Sequence, residues 1–335
     1  MQILTWTRCA LAIACALESF SGCSGSASSP ASPPMNPHAL GTAPFVSPQA
    51  DLKNGIYVAE YYGSTIVAYK TRNTHNAPPA CTVPFTASYV NDVAADDAGN
   101  LIDPDGGTHS IIVGHGPDLC GPMAATIADP YGQPADASSL DALHGRIAVA
   151  NIFDNDSMPG SISVCSVAKG CTSNLTNRAM YEVVAVAMDK KGDCWASAIA
   201  AYPSFTPALV YFKKCAGDGI TATNYHNSFY GGLDFDSDGN LVSLDLTFNT
   251  KGRVFVYSGC DPACKIVGGP FALYDEAVYG HLNKNSTLFA TGDFQLGQVD
   301  IYNYAPTKIT YRYSFNSGLM YNLYPQGVTY SKRAQ

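Results

Sequence analysis

The chain has 335 residues, of which 46% are hydrophobic and only 14% are charged, and its formal net charge is −8. The charged fraction is well below the roughly 25% of ordinary soluble domains, which predicts a surface of hydroxyl, amide and aromatic groups. Phosphate binding needs clustered Lys and Arg, and the sequence has no such cluster, so we do not expect a nucleic-acid-binding protein.

Residues 1–22 predict an export signal. Arg8 precedes the apolar stretch Cys9–Leu17, which is too short to span a bilayer because a spanning helix needs about 20 residues. The segment Phe20-Ser21-Gly22-Cys23 resembles the bacterial lipobox, and this resemblance implies cleavage before Cys23 and lipidation of its thiol. The expected location is the cell envelope, in the outer membrane or periplasm. An ordinary secretory signal, and hence a secreted protein, is the alternative.

Residues 23–48 are rich in Ser, Ala and Pro and predict a flexible tether, because such a composition cannot build a core. The folded domain is expected over residues 49–335. Contact with the membrane would therefore be through the lipid anchor only.

A repeat of about 47 residues organises this domain. Turns centred on positions 55, 99, 145, 192, 239 and 286 are separated by 44, 46, 47, 47 and 47 residues. A period in this range, with short strands and turn signals, is typical of propeller blades. Near the C-terminus, Gly327-Val328-Thr329-Tyr330 matches a first strand such as Gly232-Leu233-Asp234-Phe235. The prediction is an all-β, six-bladed β-propeller in which the C-terminal strand completes the N-terminal blade.

Two stretches, Asp92–Leu101 and Gly232–Leu241, resemble the repeat of NHL-type six-bladed propellers, Gly-Val-Ala-Val-Asp-x-x-Gly-Asn-Val-Tyr. The resemblance covers about residues 54–331. It implies a fold and says almost nothing about function, since this architecture carries many functions.

Eight cysteines remain outside the signal and the lipobox, and an even number in an exported chain predicts disulfides. Propeller topology places six of them at the same end of their strands. The expected pairs are Cys165–Cys171, Cys194–Cys215 and Cys260–Cys264, with Cys81–Cys120 left by elimination. We expect them to be structural rather than redox-active.

Loops before first strands and after second strands share one face of a propeller, here called the top face. Aromatic, carboxylate and amide groups on this face could form a pocket for a sugar, a peptide or a cationic group. Packing of tyrosines between blades is the competing interpretation. The predicted ligand-binding residues are Glu60, Tyr61, Asn91, Asp92, Asp103, Asn151, Glu182, Tyr230, Asp245 and Asp293.

Two functional hypotheses follow. The favoured one is a monomeric binding or scaffold module without a cofactor, whose partner is a protein, peptide or glycan on the top face at the central channel. The alternative is a metal-dependent hydrolase or lyase similar to gluconolactonase-type propellers, holding a divalent cation such as calcium. Its expected ligands are Glu60, Asn91, Asp92, Asn151, Glu182 and Asp245.

Other chemistry finds weaker support in the sequence. The stretch Asp234-x-Asp236-x-Asp238-Gly239 has calcium-loop spacing, but the repeat makes it an ordinary hairpin. Neither His226 nor His281 has a convincing partner in the sequence, so no catalytic residue is assigned.

Overall fold

The structure is a computed structural model. It describes residues 55–331 apart from 62–64, 71–76, 85–89, 97–99, 106–107, 109, 115–122, 132–136, 153–158, 201–205, 229–230, 247–250, 294 and 320–324. The predicted signal, the predicted tether, Cys23, Cys120 and Tyr230 all lie outside the described residues.

Six four-stranded antiparallel sheets form the blades of a six-bladed β-propeller, as predicted. Blade 1 consists of β24 (Pro325–Tyr330), β1 (Gly55–Glu60), β2 (Thr65–Lys70) and β3 (Cys81–Pro84). Blade 2 consists of β4 (Ala94–Ala95), β5 (Leu101–Asp105), β6 (Ser110–Gly114) and β7 (Met123–Ala128). Blade 3 consists of β8 (Ala137–Leu143), β9 (Arg146–Asn151), β10 (Ser161–Ser166) and β11 (Gly170–Leu175).

The second half of the propeller repeats the same order of strands. Blade 4 consists of β12 (Glu182–Met188), β13 (Cys194–Ile199), β14 (Pro207–Phe212) and β15 (Ile220–Thr221), with a short 3-10 turn at Lys213–Cys215. Blade 5 consists of β16 (Leu233–Phe235), β17 (Leu241–Asp245), β18 (Arg253–Ser258) and β19 (Lys265–Ala272). Blade 6 consists of β20 (Gly280–Leu282), β21 (Leu288–Asp293), β22 (Gln298–Ala305) and β23 (Lys308–Phe315).

The hydrophobic core is divided among the junctions between adjacent blades. One cluster of buried side chains lies at each of the six junctions, and the cluster between blades 4 and 5 includes Trp195, Tyr211 and Phe235. Second strands such as β1 and β13 are buried along their whole length, because both of their faces pack against neighbouring blades. This explains why they are nearly continuous apolar runs in the sequence.

Strand β24 closes the propeller by pairing with β1, which confirms the prediction. Ile56 lies opposite Tyr330 and Val58 opposite Val328. The Gly55 N–H donates to the Ser331 hydroxyl at 2.9 Å, and the Ser331 N–H donates to the Gly55 carbonyl at 3.0 Å. Blade 1 is therefore built from both ends of the domain, and β24 pairs with the inner edge of β1.

The stretch with calcium-like spacing contains a hairpin at Asp236–Asn240, as the repeat predicts. Asp236 Oδ1 accepts from the Asp238 N–H at 3.0 Å and from the Asn240 N–H at 2.8 Å, and Gly239 takes a φ of +84°. The equivalent hairpin at Asp96 has the same bond, from the Asn100 N–H at 2.7 Å. In both hairpins the first Asp holds the turn.

Three of the predicted disulfides are present, namely Cys165–Cys171, Cys194–Cys215 and Cys260–Cys264. Cys81 is also disulfide-bonded, whereas its predicted partner Cys120 lies outside the described residues. Within the part of the chain that the structure describes, no helix is long and apolar enough to cross a membrane.

Candidate functional site

A ring of residues, all polar except Ile199, stands at the top ends of the second strands. Each is the last residue of its second strand and lies opposite the first residue of the third strand, as Asp245 does with Arg253. We call this set the strand-end ring, and it consists of Glu60, Asp105, Asn151, Ile199, Asp245 and Asp293.

Polar members of the strand-end ring are buried and bond within their own blades. Glu60 accepts a hydrogen bond from the Thr65 hydroxyl at 2.8 Å. The Asn151 amide donates to the Ser163 hydroxyl at 2.8 Å. Asp293 Oδ1 accepts from the N–H groups of Gln295 and Leu296, both at 3.0 Å. Glu60 and Asn151 thus bond to the third strand of their blade, and Asp293 bonds to the loop before it.

Asp245 has the most extensive set of bonds in the ring. Its Oδ2 accepts from Arg253 Nη2 at 2.5 Å and from the N–H and hydroxyl of Ser228 at 3.2 and 3.0 Å. The carboxylate is fully buried, whereas the Arg253 side chain is 34% exposed. Asp245 therefore joins the loop before the first strand of blade 5 to the loop after its second strand.

Asp103, a predicted ligand-binding residue, lies two positions before the ring member of its blade. The strand pairing puts Asp105 opposite Ser110 at the strand end and Asp103 opposite Ile112. Asp103 is completely buried, and neither carboxylate oxygen has a hydrogen-bond partner among the described residues. Burial, with the nearby carboxylates of Asp105 and Asp92, raises the pKa of Asp103 well above its ordinary value. Burial therefore disfavours the charged form of Asp103.

A second polar group surrounds the channel, where the first strand of each blade contacts the first strand of the next. We call Asp92, Ser139, Asp234 and His281 the channel cluster. The Ser139 hydroxyl donates to Asp92 Oδ2 at 2.8 Å. His281 Nδ1 lies 3.3 Å from Asp234 Oδ2, and its Nε2 lies 3.7 Å from Asp92 Oδ1. The expectation that His281 lacks a partner is therefore wrong.

Carboxylates on the first strands also bind the backbone of the next blade. Asp234 Oδ2 accepts from the Leu282 N–H at 2.7 Å, and Asp141 Oδ2 accepts from the Met188 N–H at 2.7 Å. The contact between His281 and Asp92 spans blade 1, whose first strand has a glycine there. A Cβ atom on Gly327 would lie 2.5 Å from the Asp92 Cα, so only glycine allows this approach.

The remaining predicted site residues occupy separate places. Tyr61 follows β1, and its carbonyl accepts from the Val90 N–H at 3.3 Å. Asn91 is half-buried just before β4. Glu182 is half-buried at the start of β12, where burial raises its pKa.

The carboxylates of the alternative hypothesis do not converge. Within the described residues, Glu60, Asp92, Glu182 and Asp245 do not form a group of three whose ligand atoms lie within 4.8 Å of one another. The group that meets this distance consists of Asp129, Cys165 and Cys171, and its two sulfurs are joined in a disulfide. The amide ligands of the alternative, Asn91 and Asn151, are not part of this comparison of carboxylates.

Two exposed tyrosines adjoin a group of buried acids at the junction of blades 5 and 6. Tyr274 and Tyr311 are 45% and 44% exposed and stack with their ring centroids 4.6 Å apart. The Tyr311 hydroxyl lies 2.7 Å from the Ser314 hydroxyl, which donates to Asp300 Oδ1 at 2.5 Å. We call the following set the tyrosine–acid patch: Tyr274, Glu276, Asp293, Gln295, Asp300 and Tyr311.

The acids of this patch repel one another. Burial, together with the carboxylates of Asp300 and Asp275, raises the pKa of Asp293 to about 7, against the lowering effect of the Leu296 and Gln295 N–H groups. Burial also raises the pKa of Asp300, and Asp275 adds to it. Gln295 Nε2 donates to Glu276 Oε2 at 2.5 Å and so connects the two blades. Of this patch, the sequence predicted Asp293 alone.

Comparison with known proteins finds solved structures with a similar fold. No protein-family model matches the chain, and no curated protein matches it. A functionally unknown protein from Desulfotomaculum acetoxidans is 13% identical, with a TM-score of 0.53 over 80% of this chain and 81% of that one. A structure of a nidogen/laminin complex contains a chain that is 12% identical, with a TM-score of 0.59 over 84% of this chain and all of that one. These similarities show the fold alone.

Proposed function

We propose that this protein is a non-catalytic binding or scaffold module, held at the cell envelope by a lipid on Cys23, that binds its partner on the top face. The observation that carries the proposal is the tyrosine–acid patch, in which two exposed stacked rings adjoin several buried carboxylates. Exposed tyrosines offer a large rigid surface with a polar end, which suits recognition.

The charge of the patch favours a partner with basic groups. A carboxyl pKa of about 7 at Asp293 reflects a surplus of negative charge as well as burial. A bound cation would relieve that repulsion, and the two tyrosine rings attract cations through their faces. The favoured partner is thus a basic segment of a protein or peptide, with a glycan as the other class to test.

Binding arrays with the full chain test this proposal. We expect basic peptides to bind, and a Tyr274→Ala/Tyr311→Ala double variant to bind about tenfold more weakly, a loss of roughly 1.4 kcal/mol. Ile220→Ala is the matched control, because Ile220 is 50% exposed on blade 4. Equal binding by both variants, or capture of glycans alone, would contradict the basic-partner proposal.

The affinity for a basic peptide is expected to rise from pH 6 to pH 8. Asp293, with a pKa of about 7, is neutral below that pH and negatively charged above it. An Asp293→Asn variant should bind with a nearly flat pH profile. A wild-type profile as flat as that of the variant would show that the charge of Asp293 does not contribute to binding.

The proposed anchor has a separate test. Expressed in a bacterial host, the wild-type protein should sediment with membranes, and a Cys23→Ala variant should move to the soluble fraction. Because a single lipid-bearing Cys is the proposed attachment, equal sedimentation of the variant would exclude it.

A further inference from the structure

A small pocket lies between blades 4 and 5 on the face opposite the top face. Its volume is about 100 Å³, and its walls come from the first hairpin of blade 4 and from the loop after the third strand of blade 5. It shares no residue with the tyrosine–acid patch, so an inference about it is independent of the function proposed above.

Four aromatic side chains line the pocket, namely Trp195, Tyr211, Phe235 and Tyr257. The Trp195 ring centroid lies 4.5 Å from that of Tyr211 and 6.1 Å from that of Phe235. Trp195 is 5% exposed, and its Nε1–H has no hydrogen-bond acceptor among the described residues. An unpaired buried N–H costs free energy, so an oxygen atom of a ligand beside it would be stabilising.

Carboxylates form the polar part. The lining contains three carboxylates, those of Asp189, Asp193 and Asp261, and the ammonium of Lys191. A second ammonium, that of Lys214, lies 3.9 Å from Asp193 Oδ1. Asp193 is buried and held in place, because its Oδ2 accepts from the Tyr211 hydroxyl at 2.9 Å and its Oδ1 from the Lys214 N–H at 2.8 Å.

The other two carboxylates are accessible. Asp189 is half-buried and Asp261 is exposed, so both can reach a ligand from the open side. Burial raises the pKa of Tyr211, and the carboxylates of Asp193 and Asp261 raise it further. Asp193 and Asp261 therefore both interact electrostatically with Tyr211. The pocket thus combines aromatic walls with negative charge.

We propose that this pocket binds the ammonium head of a small organic cation. Ammonium groups are attracted to the faces of Trp and Tyr rings and to carboxylates, and both kinds of group line the pocket. The volume admits a group of the size of trimethylammonium. A hydroxyl oxygen next to the ammonium, as in choline, would also give the Trp195 N–H an acceptor.

Tryptophan fluorescence provides a direct readout. The chain contains two tryptophans, Trp6 and Trp195. In a Trp6→Phe variant of the full chain, Trp195 is the sole indole, and its emission reports on the pocket. We expect choline to shift this emission saturably, and its uncharged carbon isostere dimethylbutanol to leave it unchanged. Equal shifts by both compounds, or no shift by choline, would overturn the proposal.

Removing the accessible carboxylates should weaken the site. An Asp189→Asn/Asp261→Asn double variant is expected to need about tenfold more choline for the same shift. Asp218→Asn is the matched control, because Asp218 is exposed on blade 4 and does not line the pocket. Choline titrations that coincide for both variants would overturn the proposal, and far-UV circular dichroism checks that each variant is folded.

Discussion

The channel cluster and the strand-end ring both contain buried carboxylates, but these carboxylates bond in different directions. Asp234 on a first strand accepts from Leu282 of the next blade, whereas Asp245 on a second strand bonds to Ser228 and Arg253 of its own blade. Carboxylates at one position of the repeat therefore join blades, and those at another shape the loops of a single blade.

The largest effect should come from the channel cluster. An Asp234→Ala variant leaves the buried Leu282 N–H and the His281 ring without that acceptor, so the free energy of unfolding should fall by about 3 kcal/mol. Urea denaturation measures the loss. Asp238→Ala, at an exposed position nearby, should cost less than about 0.5 kcal/mol. Similar losses in both variants would show that the bond between blades contributes little.

Asp103 belongs to neither the channel cluster nor the strand-end ring. Replacing it should raise the free energy of unfolding rather than lower it. Its pKa in the folded state is raised above the unfolded value of about 4, so ionisation favours the unfolded state as pH rises above about 4. An Asp103→Asn variant should thus be more stable than the wild type at pH 7, by about 2 kcal/mol, and equally stable near pH 3.

Measurements of the free energy of unfolding between pH 3 and pH 7 test whether Asp103→Asn is the more stable protein at neutral pH. Asp218→Asn, at an exposed position, should follow the wild type at every pH. A difference between Asp103→Asn and the wild type that is the same at pH 3 and pH 7 would mean that Asp103 does not titrate as its burial requires.

The smallest effect is expected in the strand-end ring. A Ser228→Ala variant removes one of the bonds to Asp245, while the Arg253 and backbone bonds remain, so the loss should be about 1 kcal/mol or less. Hydrogen exchange sharpens the comparison. Faster exchange should stay within blade 5 for this variant and extend to Leu282 of blade 6 for Asp234→Ala. Exchange patterns that coincide would contradict the division of roles.

The repeat made most of the fold predictable. Steps of 44 to 47 residues between turns gave the number of blades, and the match between Gly327–Tyr330 and a first strand gave the closure. Three disulfides followed from the order of strands, because each joins segments close in sequence, with separations of 6, 21 and 4 residues.

Contacts between blades could not be predicted from the sequence. His281 and Asp234 are 47 residues apart, and Asp92 reaches the same histidine from across blade 1. The repeat places a residue within its blade but does not say which neighbour it meets. The stacking of Tyr274 on Tyr311 was missed for this reason, since it joins a loop of blade 5 to an outer strand of blade 6.

The exact position at which a strand ends was the other feature that the sequence could not predict. Asp103 and Asp105 both point to the same side of β5, because side chains alternate along a strand, so the sequence could not tell which one ends the strand. An isolated bridge between Val90 and Asp105 fixes the register at that end of the blade.

The pairing of β24 with β1 has a consequence for the order in which the protein is made. Gly55 and Ser331 are 276 residues apart, so β1 emerges early from the ribosome and waits for almost the whole domain before its inner partner is available. Closing so long a loop is slow, and an unpaired strand edge can meanwhile pair with another chain. A chain truncated before β24 would leave the inner edge of β1 unpaired. Only the complete domain therefore has a closed first blade.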